Sequence, residues 1–199
     1  MVETKEPVVQ NSISELWKYH NPRTEYKPEL VFTSGFVLTA DVAKAEATTF
    51  DKIMFIVDRA PWRTVLAWAC WCAERAGLRE RNAGTEPHTL SWEVVQWSRR
   101  VAVGHLEITP NRMVCALARI QEPSHFEVSA YHVGAALTWG VNGHIEAVHR
   151  TIRVAVREAA EIQRQDADWM VDATAREAEH VVQLTRLVEM VEVVNAAIL

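Results

Sequence analysis

Long apolar runs, basic tracts, strand-like alternation and catalytic signatures are all missing from this sequence, and each absence narrows what the chain can be. The longest apolar run, Val65 to Ala73, covers nine residues, against the roughly 20 that a membrane-crossing helix needs. The opening MVETKEPVVQNS contains no apolar segment of the kind a secretory signal carries. Membrane spanning and export are therefore not expected. Lys and Arg number 21 against 26 Asp and Glu, a formal net charge of -5, and no basic cluster would steer the chain to phosphate. Nucleic acid is not an expected partner. Cysteine is scarce, with Cys70, Cys72 and Cys115 only. An odd number with neither zinc-knuckle nor dithiol spacing is expected to be free thiol, which fits a cytoplasmic location. No nucleophile elbow, P-loop, dinucleotide fingerprint or H-E-x-x-H occurs, so no cofactor is expected.

What is present is a chain of 199 residues, 49% of them apolar, enough for one domain with a core that needs no disulfide. Residues 1–38, with Pro22 and Pro28 among polar and aromatic neighbours, read as an extended N-terminal arm. Residues 39–199 read as a helical bundle. Thr39 or Asp41 can cap a first helix to about Val57, with Val42, Ala45, Phe50, Ile53 and Val57 at helical spacing. A second helix starts near Pro61 and is expected to stop at Gly77, followed by the loop RERNAGTEPHT. A third spans about Leu90 to Gly104. Thr109 before Pro110 marks the start of a shorter fourth helix, to about Ile120. Ser124 with Glu127 forms a capping-box pattern opening a fifth, which the Asn142-Gly143 pair ends. From His144 to Leu199 there is neither Gly nor Pro, so this stretch forms either two helices meeting near RQDAD or one bent helix. Since alternation of apolar and polar residues never persists, the fold class is all-α, a single bundle of six or seven helices with the N-terminal arm.

The stretch PWRTVLAWACWCAERAGL holds three of the eight tryptophans and two of the three cysteines. At about 100° per residue, Trp62, Val65, Leu66, Ala69, Cys72, Ala73 and Ala76 share one side. Trp68, Trp71 and Arg75 lie on the other, and Arg63, Cys70 and Glu74 form a strip left for solvent. A helix apolar on two faces belongs in the middle of a bundle. The alternative is functional: Trp68, Trp71 and Arg75 form an aromatic groove, with a cation-π lid, for a ligand or peptide. Cys70 and Cys72 lie about 200° apart and cannot chelate one metal. Cys115 reads as a small core residue. On the fifth helix, Phe126, Ala130, Val133, Leu137 and Val141 make the main stripe and Gly134 and Gly140 permit close helix approach. His132 lies opposite, a second-face residue whose switchable charge makes it a binding candidate.

Two E-x-x-H sequences that fall inside expected helices, Glu146 with His149 and Glu177 with His180, carry a metal-like pattern. In carboxylate bundles such pairs place a carboxylate and an imidazole on one helical face. Here the first pair turns largely away from its apolar stripe, whereas Glu177 and His180 both fall on the stripe of the last helix. On that helix Trp169, Ala173, His180, Leu184, Leu187, Val191 and Val194 recur at spacings close to a heptad seam. The seam must be covered by the bundle or by a second subunit, and a homodimer or partner contact through Trp169 and Leu187 is the expectation favoured here.

The segments VLAWACWCAERAGL, WEVVQWSRRVAVGHLEI, SAYHVGAALTWGV and VVQLTRLVEMV, from Val65 to Val191, resemble the all-helical immunity proteins of bacterial polymorphic toxin systems. The resemblance implies a small cytoplasmic protein that binds and blocks a toxin without catalysis, and it transfers no individual binding residue. The expected function is thus a non-enzymatic protein-protein interaction module of immunity-like type. The alternative is a small-ligand or metal-binding bundle, or an enzyme, using Glu177 and His180 or the Trp68, Trp71 and Arg75 face.

Overall fold

The computed structural model describes Val42 and residues 47–106, 110–120, 124–161 and 169–198, with the side chains of the last helix described over 173–194. Seven helices follow one another through these residues: α1 (Thr49–Val57), α2 (Trp62–Asn82), α3 (Thr89–Ala102), α4 (Pro110–Leu117), α5 (His125–Val141), α6 (Ile145–Ala160) and α7 (Trp169–Ile198). No strand occurs among the described residues. Over the described residues the fold is an all-α bundle built from these seven helices, two of which lie after Gly143. The N-terminal arm and the caps at Thr39 or Asp41 and at Thr109 lie outside the described residues.

Helix α2 is the centre of the bundle, packing against α3, α5, α6 and α7, while α1 rests mainly on α7. The two-faced pattern of tryptophan, alanine and cysteine on α2 requires such neighbours. Val65, Leu66, Trp68, Ala69, Cys70, Cys72 and Ala73 are all fully buried. Cys70, expected on a solvent strip, is instead enclosed, because the Glu74–Arg99 ion pair from α2 to α3, at 2.8 Å, lies on that side. Cys115 departs in the other direction. Short α4 buries only Met113, Ala116 and Leu117 among its described side chains, and Cys115, about 200° from Met113 around the axis, is exposed.

Two helix boundaries differ from the sequence expectation, each for a local reason. The first helix is not continuous from residue 39 to 57. Val42 is helical and buried, but the chain bends at Ala47, and Thr48 turns extended (φ -63°, ψ 149°) to cap α1, its hydroxyl accepting from the Asp51 N–H at 3.2 Å. A hydroxyl that satisfies an orphan N–H offers the backbone an alternative to continuing the previous helix. Helix α2, conversely, runs straight through Gly77 to Asn82 and terminates near Gly84, whose φ of +90° is the left-handed conformation a helix stop uses. Gly77 is there for packing: a Cβ at that position would stand 2.7 Å from the Trp92 ring and 2.9 Å from Phe126.

The extra turn of α2 gives it a further role. Glu80, buried, accepts the Phe126 N–H at 2.8 Å. Glu127 accepts the N–H groups of both His88 and Ser124 at 3.2 Å, one carboxylate serving the starts of α3 and α5. The capping box expected at Ser124 is present in full. These bonds satisfy donors that would otherwise be orphaned at two helix N-termini, and the negative charges suit the positive ends of the helix dipoles.

Candidate functional site

The aromatic face of α2 is occupied by α7. Trp68 is fully buried and its indole N–H donates to the Gln183 carbonyl oxygen at 2.9 Å. Trp71 is half-buried, with the Arg75 guanidinium 5.1 Å from its ring centroid. Arg75 grips Glu179 of α7 bidentately, Nε and Nη2 each 2.9 Å from a carboxylate oxygen, and Arg79 adds a third contact to Glu179 at 2.9 Å while also donating to the Ala159 carbonyl. Burial pushes the Glu179 carboxyl up, but hydrogen bonds and charge from Arg75 and Arg79 outweigh it and hold the group below its ordinary value. What resembles a ligand groove on the isolated helix is a helix-helix joint, and its polar groups are used in fastening α7 to α2 and α6.

The E-x-x-H residues separate in the fold. His180 is buried at 7% exposure beneath the Phe50 ring, 5.1 Å between centroids, whereas the Glu177 side chain is 55% exposed at the rim and accepts the Thr49 hydroxyl. The expectation that both fall inside is corrected for Glu177: Nδ1 of His180 is 3.8 Å from its carboxylate, beyond hydrogen-bond range. Glu146 is exposed and His149 half-buried, as their positions around α6 imply. Among the described residues no three His, Cys, Asp or Glu side chains gather as a ligand set. Burial lowers the pKa of His132, His149 and His180. His132 is half-buried, edge-on to Tyr131 at 5.4 Å. Leu187 is completely buried within the chain, so the seam of α7 needs no second subunit to hide it. Trp169 opens α7, and its side chain lies outside the described residues.

A different place presents the residue types that binding uses. At the tip of the α5–α6 hairpin a cleft of about 450 Å³ is lined by Trp139, His144, Ile145, Glu146 and Arg150. Trp139 is 43% exposed and lies edge-on to the His144 ring, 5.7 Å between centroids. Arg150 makes no ion pair among the described residues. The turn that holds these groups is well anchored. Gly143 adopts φ +79°, the His144 N–H donates to the Trp139 carbonyl at 3.0 Å, and the Asn142 amide donates to Thr138 at 2.9 Å. One turn below, Gly140 admits the Trp62 ring of α2, which fixes the height of the tip on the bundle. Sequence reasoning misses this cluster. Its one signal is a tryptophan in the last turn of a helix, three residues before an Asn-Gly stop, where a large ring cannot be covered by its own helix.

The tip thus gathers an aromatic ring, an aliphatic side chain, a guanidinium and, four residues before it on α6, the Glu146 carboxylate. No protein-family model matches the chain, and neither a characterised protein nor a solved structure is detectably similar to it.

Proposed function

We propose that this chain is a non-catalytic interaction protein that binds a polypeptide partner through the α5–α6 tip, and that its partner is a toxin it neutralises in the cytoplasm. The observation that carries the reading is the partly exposed Trp139 held by a rigid turn beside Arg150. Trp and Arg are the residues over-represented among binding hot spots, and a pre-formed turn lowers the ordering cost of association. The likeness of Val65–Val191 to the all-helical immunity proteins supplies the target class.

The full chain serves as immobilised bait against lysate, beside Trp139→Ser and Arg150→Glu variants with unchanged circular dichroism. A partner retained by the wild type and lost by both variants is expected, and co-expression of that partner should arrest growth unless the wild-type chain is present. Equal retention by all three moves the binding surface elsewhere. A captured partner that is harmless when expressed alone removes the toxin assignment.

A further inference from the structure

The outward side of α7 carries a pattern that the core does not use. Its inner side holds His180, Gln183, Leu187 and Val191, all buried. Almost opposite, within an arc of about 60° at 100° per residue, lie Val182, Arg186, Glu189 and Val193. Val182 is 39% exposed and Val193 71% exposed, and Arg186 and Glu189 are themselves largely exposed, paired along the helix at 2.8 Å. Two exposed valines about 16 Å apart along the axis, with a cation and an anion between them, leave apolar surface in water that nothing among the described residues covers. Beside this stripe a groove of about 400 Å³ runs between α7 and the start of α2, floored by Thr64, Ala67 and Met190 and bounded by Val103 at the end of α3. Thr64 and Ala67 are short on the α2 side of the groove, and Met190 adds an apolar side chain on the α7 side.

The order of these residues is self-complementary under a two-fold axis. When two copies of α7 pack antiparallel about a point midway between Leu187 and Val188, Val182 meets Val193 of the second copy and Arg186 meets Glu189 of the second copy. The same contacts recur on the other side of the axis, as an isologous interface requires. A parallel pairing in register would instead set Arg186 against Arg186 and Glu189 against Glu189, which like-charge repulsion disfavours. We infer that the outer face of α7 is a homodimer interface in which two α7 helices pack antiparallel, Val182 on Val193 and Arg186 on Glu189, each helix lying along the other copy's α7–α2 groove. This face is distinct from the hairpin tip, so the dimer stands or falls separately from the binding reading. It also differs from the Leu187 seam, which the chain covers by itself.

The test is sedimentation of the full-length protein, with charge reversals at exposed positions that leave the core untouched. Wild type is expected to sediment as a dimer at high micromolar concentration. Arg186→Glu gives a chain with two anions on the stripe and Glu189→Arg a chain with two cations, so each should sediment alone as a monomer. An equimolar mixture of the two variants should recover the dimer, because both anions of one copy then face the two cations of the other. Circular dichroism identical to wild type keeps folding out of the result. A wild type that remains monomeric overturns the inference. So does a dimer that survives both single reversals, or a mixture that stays monomeric after both have dissociated.

Discussion

Replacing Gly77 with alanine sets two opposing terms against each other, and the structure decides between them. In an exposed helix interior the change should stabilise by about 1 kcal/mol, the difference in helix propensity between Gly and Ala. Here the new Cβ would stand 2.7 and 2.8 Å from Cζ2 and Cη2 of Trp92 and 2.9 Å from Cδ2 of Phe126, against the roughly 3.5 to 4 Å of a comfortable carbon contact. Phe126 is completely buried and cannot retreat. Trp92, half-buried, meets the new Cβ with the far edge of its ring, so relief there needs the whole indole to shift. Over-packing of this kind costs about 1 to 3 kcal/mol, and with a rigid wall on one side the upper half of that range applies. The net expectation is a loss of about 1 to 2 kcal/mol, a fall in Tm of about 2 to 8 °C for a chain of this size. Urea unfolding followed by circular dichroism, with the slope checked against wild type, measures it. A gain of about 1 kcal/mol would refute the reasoning and make Gly77 an ordinary exposed helical glycine. A cycle with Trp92→Leu sharpens the test: the double variant should be less destabilised than the sum of the singles, by on the order of 1 kcal/mol.

Leu187→Glu places a carboxylate at a fully buried position of α7 and should cost on the order of 4 kcal/mol or more, read as loss of the cooperative thermal transition; a folded, soluble variant would refute the intramolecular burial of the seam. His132, His149 and His180 all have pKa values lowered by burial. The unfolded chain then binds protons first, so their contribution is complete above about pH 6.5 and is lost progressively as the pH falls below it. Urea midpoints at pH 7.5 and 5.5 should differ, with a smaller difference in His180→Gln; equal midpoints would contradict the assignment. Glu179, with its pKa lowered, contributes only a loss that begins below about pH 4.3 and leaves that comparison undisturbed. Among the thiols, exposed Cys115 should react rapidly with a disulfide reagent in the native protein, whereas Cys70 and Cys72, buried and with raised pKa, should react only on unfolding; three fast thiols would show that α2 is not central.

Local chemistry in the sequence determined most of the helices and several of their ends. The Ser124 and Glu127 box, the Asn142-Gly143 stop and the two-faced pattern of Trp62 to Ala76 each act within a few residues, so a linear reading finds them, and the central position of α2 follows from its two apolar faces. Thr48 and Gly77 mislead such a reading for a physical reason of the same scale. A threonine can continue a helix or cap one, and a glycine can end a helix or admit a ring, and the residue alone does not distinguish these. Tertiary structure decided which element covers which face. Trp68 donates to a carbonyl 115 residues further along the chain, and Arg75 reaches Glu179 across 104, separations over which no periodicity carries information. The wheel of α2 therefore shows an aromatic groove, and only the docking of α7 turns it into a joint. By filling that groove, α7 also buries Leu187 and leaves Val182 and Val193 outside. The hairpin tip is exposed for the complementary reason, that no other described helix extends over the turn after Val141.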